Sequence, residues 1–145
     1  MKTLKSILIS FMLIVLVGLT ASAQSNTKII AVVNEAEWCP ACKNNGERAM
    51  NAFKENNKDA VFQFVQNNLT NDETKLKSNA ELKNLGLLDA MTEYKGTGVV
   101  YFFNAETKSL ISKIGISKTN EELALAMLSA QNGNKSESSE EGGCN

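Results

Sequence analysis

The sequence predicts a single α/β domain with a mixed central sheet, made of parallel strands plus an antiparallel hairpin, and flanked by helices. Its 145 residues are 43% hydrophobic and 21% charged, which suits one domain and excludes both a disordered polyelectrolyte and a multi-span membrane protein. Two patterns support this fold class. Continuous apolar runs such as KIIAVV at residues 28–33 are typical of strands buried on both faces. Longer stretches with apolar residues at steps of three and four indicate helices.

The first half of the domain alternates between these two patterns. Helical spacing extends from residue 40 to about 57, and the aromatic and β-branched run AVFQFV predicts a strand over 60–65. Residues 72 to about 94 form a mostly helical region that bends near Gly86. Two strands separated by a helix indicate a β-α-β unit with a right-handed crossover.

The second half predicts a hairpin and a final helix. The run VVYFF at residues 99–103 is a third buried strand, and the alternation over 110–117 is typical of a more exposed antiparallel partner. The segment TNEE at residues 119–122 is a capping box that opens the last helix. The element order is therefore strand, helix, strand, helix, strand, strand, helix.

Charge and composition exclude several function classes. Fifteen basic residues against sixteen acidic ones leave a net charge of −1, so no basic face is expected for nucleic acid. The chain contains no histidine, which excludes Ser-His, Cys-His and His-ligated zinc chemistry. No Gly-rich phosphate-binding loop occurs, so no organic cofactor is expected.

The N-terminus has the pattern of a secretory signal peptide. Lys2 and Lys5 precede a thirteen-residue apolar run, and the small residues at 20–23 predict cleavage before Gln24. The alternative, a membrane anchor, would need about 20 apolar residues. We therefore expect an exported protein, periplasmic or secreted, with a signal peptide at 1–23, a domain at 24–131 and a disordered Ser/Glu/Gly tail at 132–145.

The exported location bears on the three cysteines, because disulfides form and persist outside the cytosol. Cys39, Cys42 and Cys144 are an odd number, so they cannot all pair within one chain. Cys39 and Cys42 are only three residues apart. A disulfide between them would not join distant parts of the fold, so a purely stabilising role explains the pair poorly.

The cysteine pair lies between the first predicted strand and the first predicted helix, in the motif Trp38-Cys39-Pro40-Ala41-Cys42. Pro40 suits the first helical position, where its missing N–H costs nothing. Cys39 then lies at the helix N-terminus, where free N–H groups and the helix dipole favour a thiolate, the nucleophile of disulfide exchange. We expect Cys39 to be the exposed, attacking thiol and Cys42, one turn on, to be the shielded, resolving thiol.

These residues resemble the active site of the thioredoxin-like family. The run Ala36-Glu37-Trp38-Cys39 matches the tryptophan-led segment before the family's first cysteine, and Cys42 matches the second. The resemblance implies a thioredoxin-like fold and thiol–disulfide exchange on protein or small-thiol substrates, with electrons passing to or from an unidentified redox partner. Oxidation, reduction and isomerisation are all compatible with the motif, because the direction depends on a redox potential that composition does not fix.

The charged residues near the motif depart from the family pattern. The family buries an acid six residues before the first cysteine, whereas this chain has Val33 there. The proton acceptor for Cys42 is therefore expected to be water or Glu37. Glu35 and Glu37 oppose thiolate formation, and Lys43 favours it.

A second departure concerns the substrate-binding segment. The family carries a cis-proline before the third strand, and Gly98 takes that place here. Substrate contact is expected from the Thr97–Gly98 backbone, with looser geometry that a proline at 98 would tighten. Trp38 is expected to form a flat surface facing the substrate. Ala41 stands where strongly oxidising family members often have histidine.

The alternative function is that of a non-catalytic thioredoxin-fold binding protein. Such a protein could bind Cu(I) or zinc through Cys39, Cys42 and Cys144, or it could bind a partner polypeptide. The tail spans roughly 43 Å when extended, so Cys144 could also exchange with the Cys39–Cys42 disulfide as an accessory thiol. An intermolecular Cys144 disulfide and an inert, capped thiol are the competing interpretations.

Overall fold

Four strands and three helices follow one another in the predicted order in the computed structural model, which describes residues 27–133. The strands are β1 (Ile29–Glu35), β2 (Phe62–Asn68), β3 (Val99–Asn104) and β4 (Leu110–Gly115), and the helices are α1 (Pro40–Glu55), α2 (Asp72–Asn84) and α3 (Asn120–Gln131), with a short 3-10 helix at Ala90–Glu93. The predicted signal peptide and the tail with Cys144 lie outside the described residues. Within 27–133, no helix has both the length and the apolar character needed to cross a membrane.

The strands form one mixed sheet in the order β2-β1-β3-β4. β1 and β2 are parallel and are connected through α1, whereas β3 is antiparallel to both of its neighbours, β1 and β4. The predicted fold class is therefore confirmed, because a parallel pair is extended by an antiparallel hairpin. The carboxyl end of β1 leads directly into the motif and α1.

Both faces of the sheet are covered, which explains the continuous apolar run in β1. Alternate residues of β1 point to opposite sides, because side chains change face at every step along a strand. Ile29, Ala31 and Val33 join one core with α1 and α3, while Ile30 and Val32 join a second core with α2 and the 3-10 helix. The prediction of helices on both faces is confirmed.

β1 continues two residues past the apolar run that predicted it. Asn34 pairs with Asn67 and Glu35 with Asn68 in register with β2. Asn34 is fully buried, and its amide donates hydrogen bonds to Tyr94 O at 2.8 Å and Gly96 O at 3.1 Å. These bonds satisfy a polar group inside the fold, and they tie the end of β1 to the segment that leads into β3.

Candidate active site

The first turn of α1 is built around the sulfur of Cys39. Cys39 is the N-cap residue, with φ −80° and ψ 114°, and Pro40 begins the helix, as predicted. The Cys42 backbone N–H donates a hydrogen bond to Cys39 Sγ at 3.3 Å. A sulfur therefore occupies the place where a serine or aspartate oxygen usually caps a helix, facing the positive end of the helix dipole.

The exposure of the two thiols differs from the sequence prediction. The Cys39 side chain is 0% exposed, so the expectation that it is the exposed thiol is wrong. The capping geometry folds its sulfur back over the helix end, and the backbone of Gly98 passes over it: a Cβ added at Gly98 would lie 3.5 Å from Cys39 Sγ. Cys42 is half-buried and packs against the core between α1 and the sheet. The structure contains both as thiols.

Gly98, which the resemblance assigns to the family's cis-proline position, lies opposite the motif. Its N–H donates to Asn34 O at 2.8 Å, and its carbonyl accepts from Ile116 N–H at 2.9 Å. Its φ of +73° favours glycine and is closed to proline, whose ring fixes φ near −65°. Proline would also remove the bond to Asn34. The expectation that a proline at 98 would tighten substrate positioning is therefore wrong.

The other residues predicted for the site lie around this centre. Trp38 is 51% exposed in the turn before Cys39, where it presents a large apolar surface. Thr97 is 1% exposed, so its side chain does not face solvent, and of the Thr97–Gly98 pair it is Gly98 that lies near Cys39. Ala41 borders Gly98, where an added Cβ would lie 3.2 Å from the Ala41 Cβ. Substrate contact through these residues stays a prediction.

The environment of Cys42 strongly favours its neutral form. The pKa of Cys42 is raised to about 11, chiefly because burial removes water from the thiolate. A hydrogen bond with Cys39 and the negative charges of Cys39 and Glu35 raise the pKa further, whereas a backbone hydrogen bond with Ala36 lowers it. Cys42 is therefore almost entirely protonated at neutral pH.

Glu35 was not predicted from the sequence to assist the reaction, although the alternation of side chains along β1 indicates which face it lies on. Ile29, Ala31 and Val33 face α1, so strand periodicity places Glu35 on the same side of the sheet once β1 continues past Val33. Glu35 and Cys42 line one pocket of about 290 Å³. Burial raises the pKa of the Glu35 carboxyl. Glu37, the expected proton acceptor, is exposed and does not line this pocket.

The metal-binding alternative combines Cys39 and Cys42, which the structure describes, with a residue beyond position 133. Within 27–133, no three Cys, Asp or Glu side chains converge as a metal-ligand set. The third thiol of that alternative, Cys144, lies outside these residues. The described part of the site therefore presents two adjacent thiols on one helical turn.

Comparison with known proteins adds a likeness of shape. No protein-family model matches the chain, and no curated protein matches it. Similar solved structures include Trxlp from Edwardsiella tarda EIB202, with 14% identity, a TM-score of 0.47, and coverage of 71% of this chain and 84% of that one. Tryparedoxin I from Leishmania major has 15% identity and a TM-score of 0.47, with coverage of 74% and 81%.

Proposed function

We propose that this chain is an exported thiol–disulfide oxidoreductase for protein or small-thiol substrates, in which Cys39 attacks and Cys42 resolves. The observation that carries the proposal is the cap of α1, where Cys39 Sγ accepts the Cys42 N–H at 3.3 Å. The three-residue spacing holds the two thiols within one helical turn. The contact directs the Cys42 N–H at the sulfur that must carry negative charge.

In the reducing direction, the Cys39 thiolate attacks one sulfur of a substrate disulfide, and the other substrate sulfur leaves as a thiolate. Cys42 then loses its proton and attacks Cys39 Sγ, which forms the Cys39–Cys42 disulfide and releases the second substrate thiolate. Two electrons pass from the cysteine pair to the substrate, and both leaving thiolates take up protons. The same steps in reverse oxidise a dithiol.

The burial of Cys39 places a condition on the first step. A substrate sulfur reaches Cys39 Sγ only when the cover formed by the Gly98 segment shifts. Trp38 is exposed beside this approach and offers an apolar surface for the substrate to bind.

Location and partners follow from the same proposal. Export through residues 1–23 brings the thiols into an oxidising compartment, either the periplasm or the external medium. No organic cofactor is needed, because a partner protein or small thiol supplies or accepts the two electrons.

Trapping of mixed disulfides tests the function. In a Cys144→Ser background, we expect Cys42→Ser to accumulate a mixed disulfide with a model disulfide through Cys39, because the resolving thiol is missing. Cys39→Ser should accumulate far less, because the remaining Cys42 thiol is protonated at neutral pH. Peptide mapping by mass spectrometry identifies the linked cysteine.

Two results would contradict this assignment. Equal trapping by both variants would remove the distinction between an attacking and a resolving thiol. Trapping by neither variant would support a non-catalytic binding protein of the same fold.

A further inference from the structure

The pocket beside Cys42 is also lined by an ionisable residue of β1, Glu35. It has a volume of about 290 Å³ and lies between the end of β1 and the first turns of α1. Val33, Met50 and Ile116 form apolar walls, and the titratable groups that line the pocket are Cys42, Glu35 and Glu47. A water molecule occupies about 30 Å³ in the liquid, so this pocket has room for water beside the thiol and the carboxylates that line it.

Resolution of a mixed disulfide requires that Cys42 lose its proton, because the thiolate is the nucleophile. Burial raises the pKa of Cys42, and this cause persists in the mixed disulfide, so the resolving thiol is mainly protonated at neutral pH. The residue that removes this proton is therefore a determinant of the resolving rate.

Three carboxylates are close enough in sequence or space to be considered. Glu37 is exposed and outside the pocket, and Glu47 lines the pocket from an exposed position on α1. Glu35 is half-buried, and its negative charge raises the pKa of Cys42. Within residues 27–133 Glu35 forms no ion pair, so its carboxylate is not neutralised by a lysine or arginine there.

We infer that Glu35 is the proton acceptor for Cys42 in the resolving step, acting through the pocket that the two residues share. This inference rests on the proposed function. The Cys42 proton passes to the Glu35 carboxylate, Cys42 Sγ bonds to Cys39 Sγ, and the bond from Cys39 Sγ to the substrate sulfur breaks. The substrate sulfur leaves with the electron pair and is protonated by water, and Glu35 then releases its proton to solvent.

An aromatic disulfide whose released thiolate is coloured, 5,5′-dithiobis(2-nitrobenzoate), separates the two steps in the reduced Cys144→Ser protein. With one equivalent of reagent, the first release is bimolecular and reports attack by Cys39. The second release is unimolecular and reports resolution by Cys42. Absence of the second release in every variant, including the Cys144→Ser parent, would contradict the proposed function and not only the role of Glu35.

Glu35→Gln distinguishes a proton acceptor from a mere negative charge, because the two roles predict opposite signs. Removal of the charge lowers the pKa of Cys42, which would accelerate resolution if Glu35 only repelled the thiolate. If Glu35 accepts the proton, we expect Glu35→Gln to slow the second release about 100-fold at neutral pH, although Cys42 has become more acidic. The first release should stay within about threefold of the parent, because Cys39 attacks before the proton transfer.

Matched variants and the pH profile complete the test. Glu37→Gln removes the same charge two residues along the chain and should leave the second release unchanged, and Glu35→Asp should retain most of it. In the parent, the second release should fall as pH drops through the Glu35 pKa, and this acid limb should disappear in Glu35→Gln. An unchanged or faster second release in Glu35→Gln, or an equal loss in Glu47→Gln, would overturn the inference.

Discussion

Gly98 controls how closely the backbone passes over the sulfur of Cys39. Its φ of +73° costs an L-residue roughly 1–2 kcal/mol. An added Cβ would lie 3.2 Å from the Ala41 Cβ and 3.5 Å from Cys39 Sγ. Both its N–H and its carbonyl are hydrogen-bonded, to Asn34 and Ile116. The glycine is therefore required by the backbone conformation and by the space above Cys39.

Gly98→Ala should lower the free energy of unfolding by about 1–2 kcal/mol through backbone strain. It should also slow attack by Cys39, because the methyl group narrows the approach to Sγ. The matched control is Gly46→Ala within α1, where an added Cβ meets nothing within 4 Å. The control should stabilise the protein by about 1 kcal/mol, because alanine is the better helix former. Denaturant unfolding of both variants measures the difference, and a neutral Gly98→Ala would contradict the strain argument.

The three helices begin in two chemically different ways. The N-terminal turns of α2 and α3 have reciprocal capping boxes, Asn71 with Thr74 and Thr119 with Glu122. The first turn of α1 contains no acidic residue and is capped by a cysteine sulfur, which is a weak acceptor. The N-terminal turns of α2 and α3 are therefore capped by oxygen acceptors, whereas the first turn of α1 faces the sulfur of Cys39.

The capping box of α3 predicts a pH-dependent contribution to stability. Thr119→Ala should cost about 1 kcal/mol of unfolding free energy. The Glu122 carboxylate accepts a hydrogen bond from Thr119 N–H at 2.8 Å, and this bond holds the pKa of Glu122 below its ordinary value. A depressed pKa contributes stability above the unfolded-state pKa, and this contribution is lost as pH falls through the folded-state value.

Glu122→Gln should therefore remove part of the acid-induced loss of stability, while Glu121→Gln, an acidic neighbour outside the capping box, should retain it. Unfolding curves at neutral and acidic pH separate the two variants. Identical pH dependence in both would show that the bond to Thr119 N–H adds nothing beyond the helix dipole.

At the scale of the whole molecule, Arg48 connects the middle of α1 to the segment between β4 and α3. Its guanidinium donates to Ile116 O at 2.7 Å and Lys118 O at 2.8 Å, and to Asn120 Oδ1 at 2.5 Å. Ile116 N–H in turn donates to Gly98 O. One side chain therefore links α1 to the backbone that covers its N-terminus.

Arg48→Lys should lower the free energy of unfolding by about 1–2 kcal/mol, because an ammonium group cannot reproduce this planar set of hydrogen bonds. It should also speed hydrogen exchange at the Gly98 and Ile116 amides, because their segment loses its tie to α1. The control Lys77→Gln breaks only an exposed ion pair with Glu73 and should cost less than about 0.5 kcal/mol. Equal losses in the two variants would show that the Arg48 contacts are no stronger than a surface pair.

The element order and the placement of the motif could be predicted because both follow from local patterns. The capping box of α3 and the proline at the start of α1 are properties of four or five consecutive residues, and the structure confirms both. The end of β1 was missed because Asn34 and Glu35 are polar, and polarity normally indicates exposure. Asn34 is nevertheless buried, since partners about 30 and 60 residues away satisfy its amide.

The sequence by itself determined the order of strands and helices, the helix-terminal position of Cys39 and the pairing of Cys39 with Cys42 on one turn. Only the tertiary structure decided that Cys39 is covered, that Cys42 shares a pocket with Glu35 and that Gly98 adopts a conformation closed to proline. The physical reason is that burial, and the electrostatic effects that depend on it, are sums over contacts from segments far apart in the chain. At this site β1, α1, the turn at Gly98 and the residues after β4 all contribute, and no local pattern contains their combination.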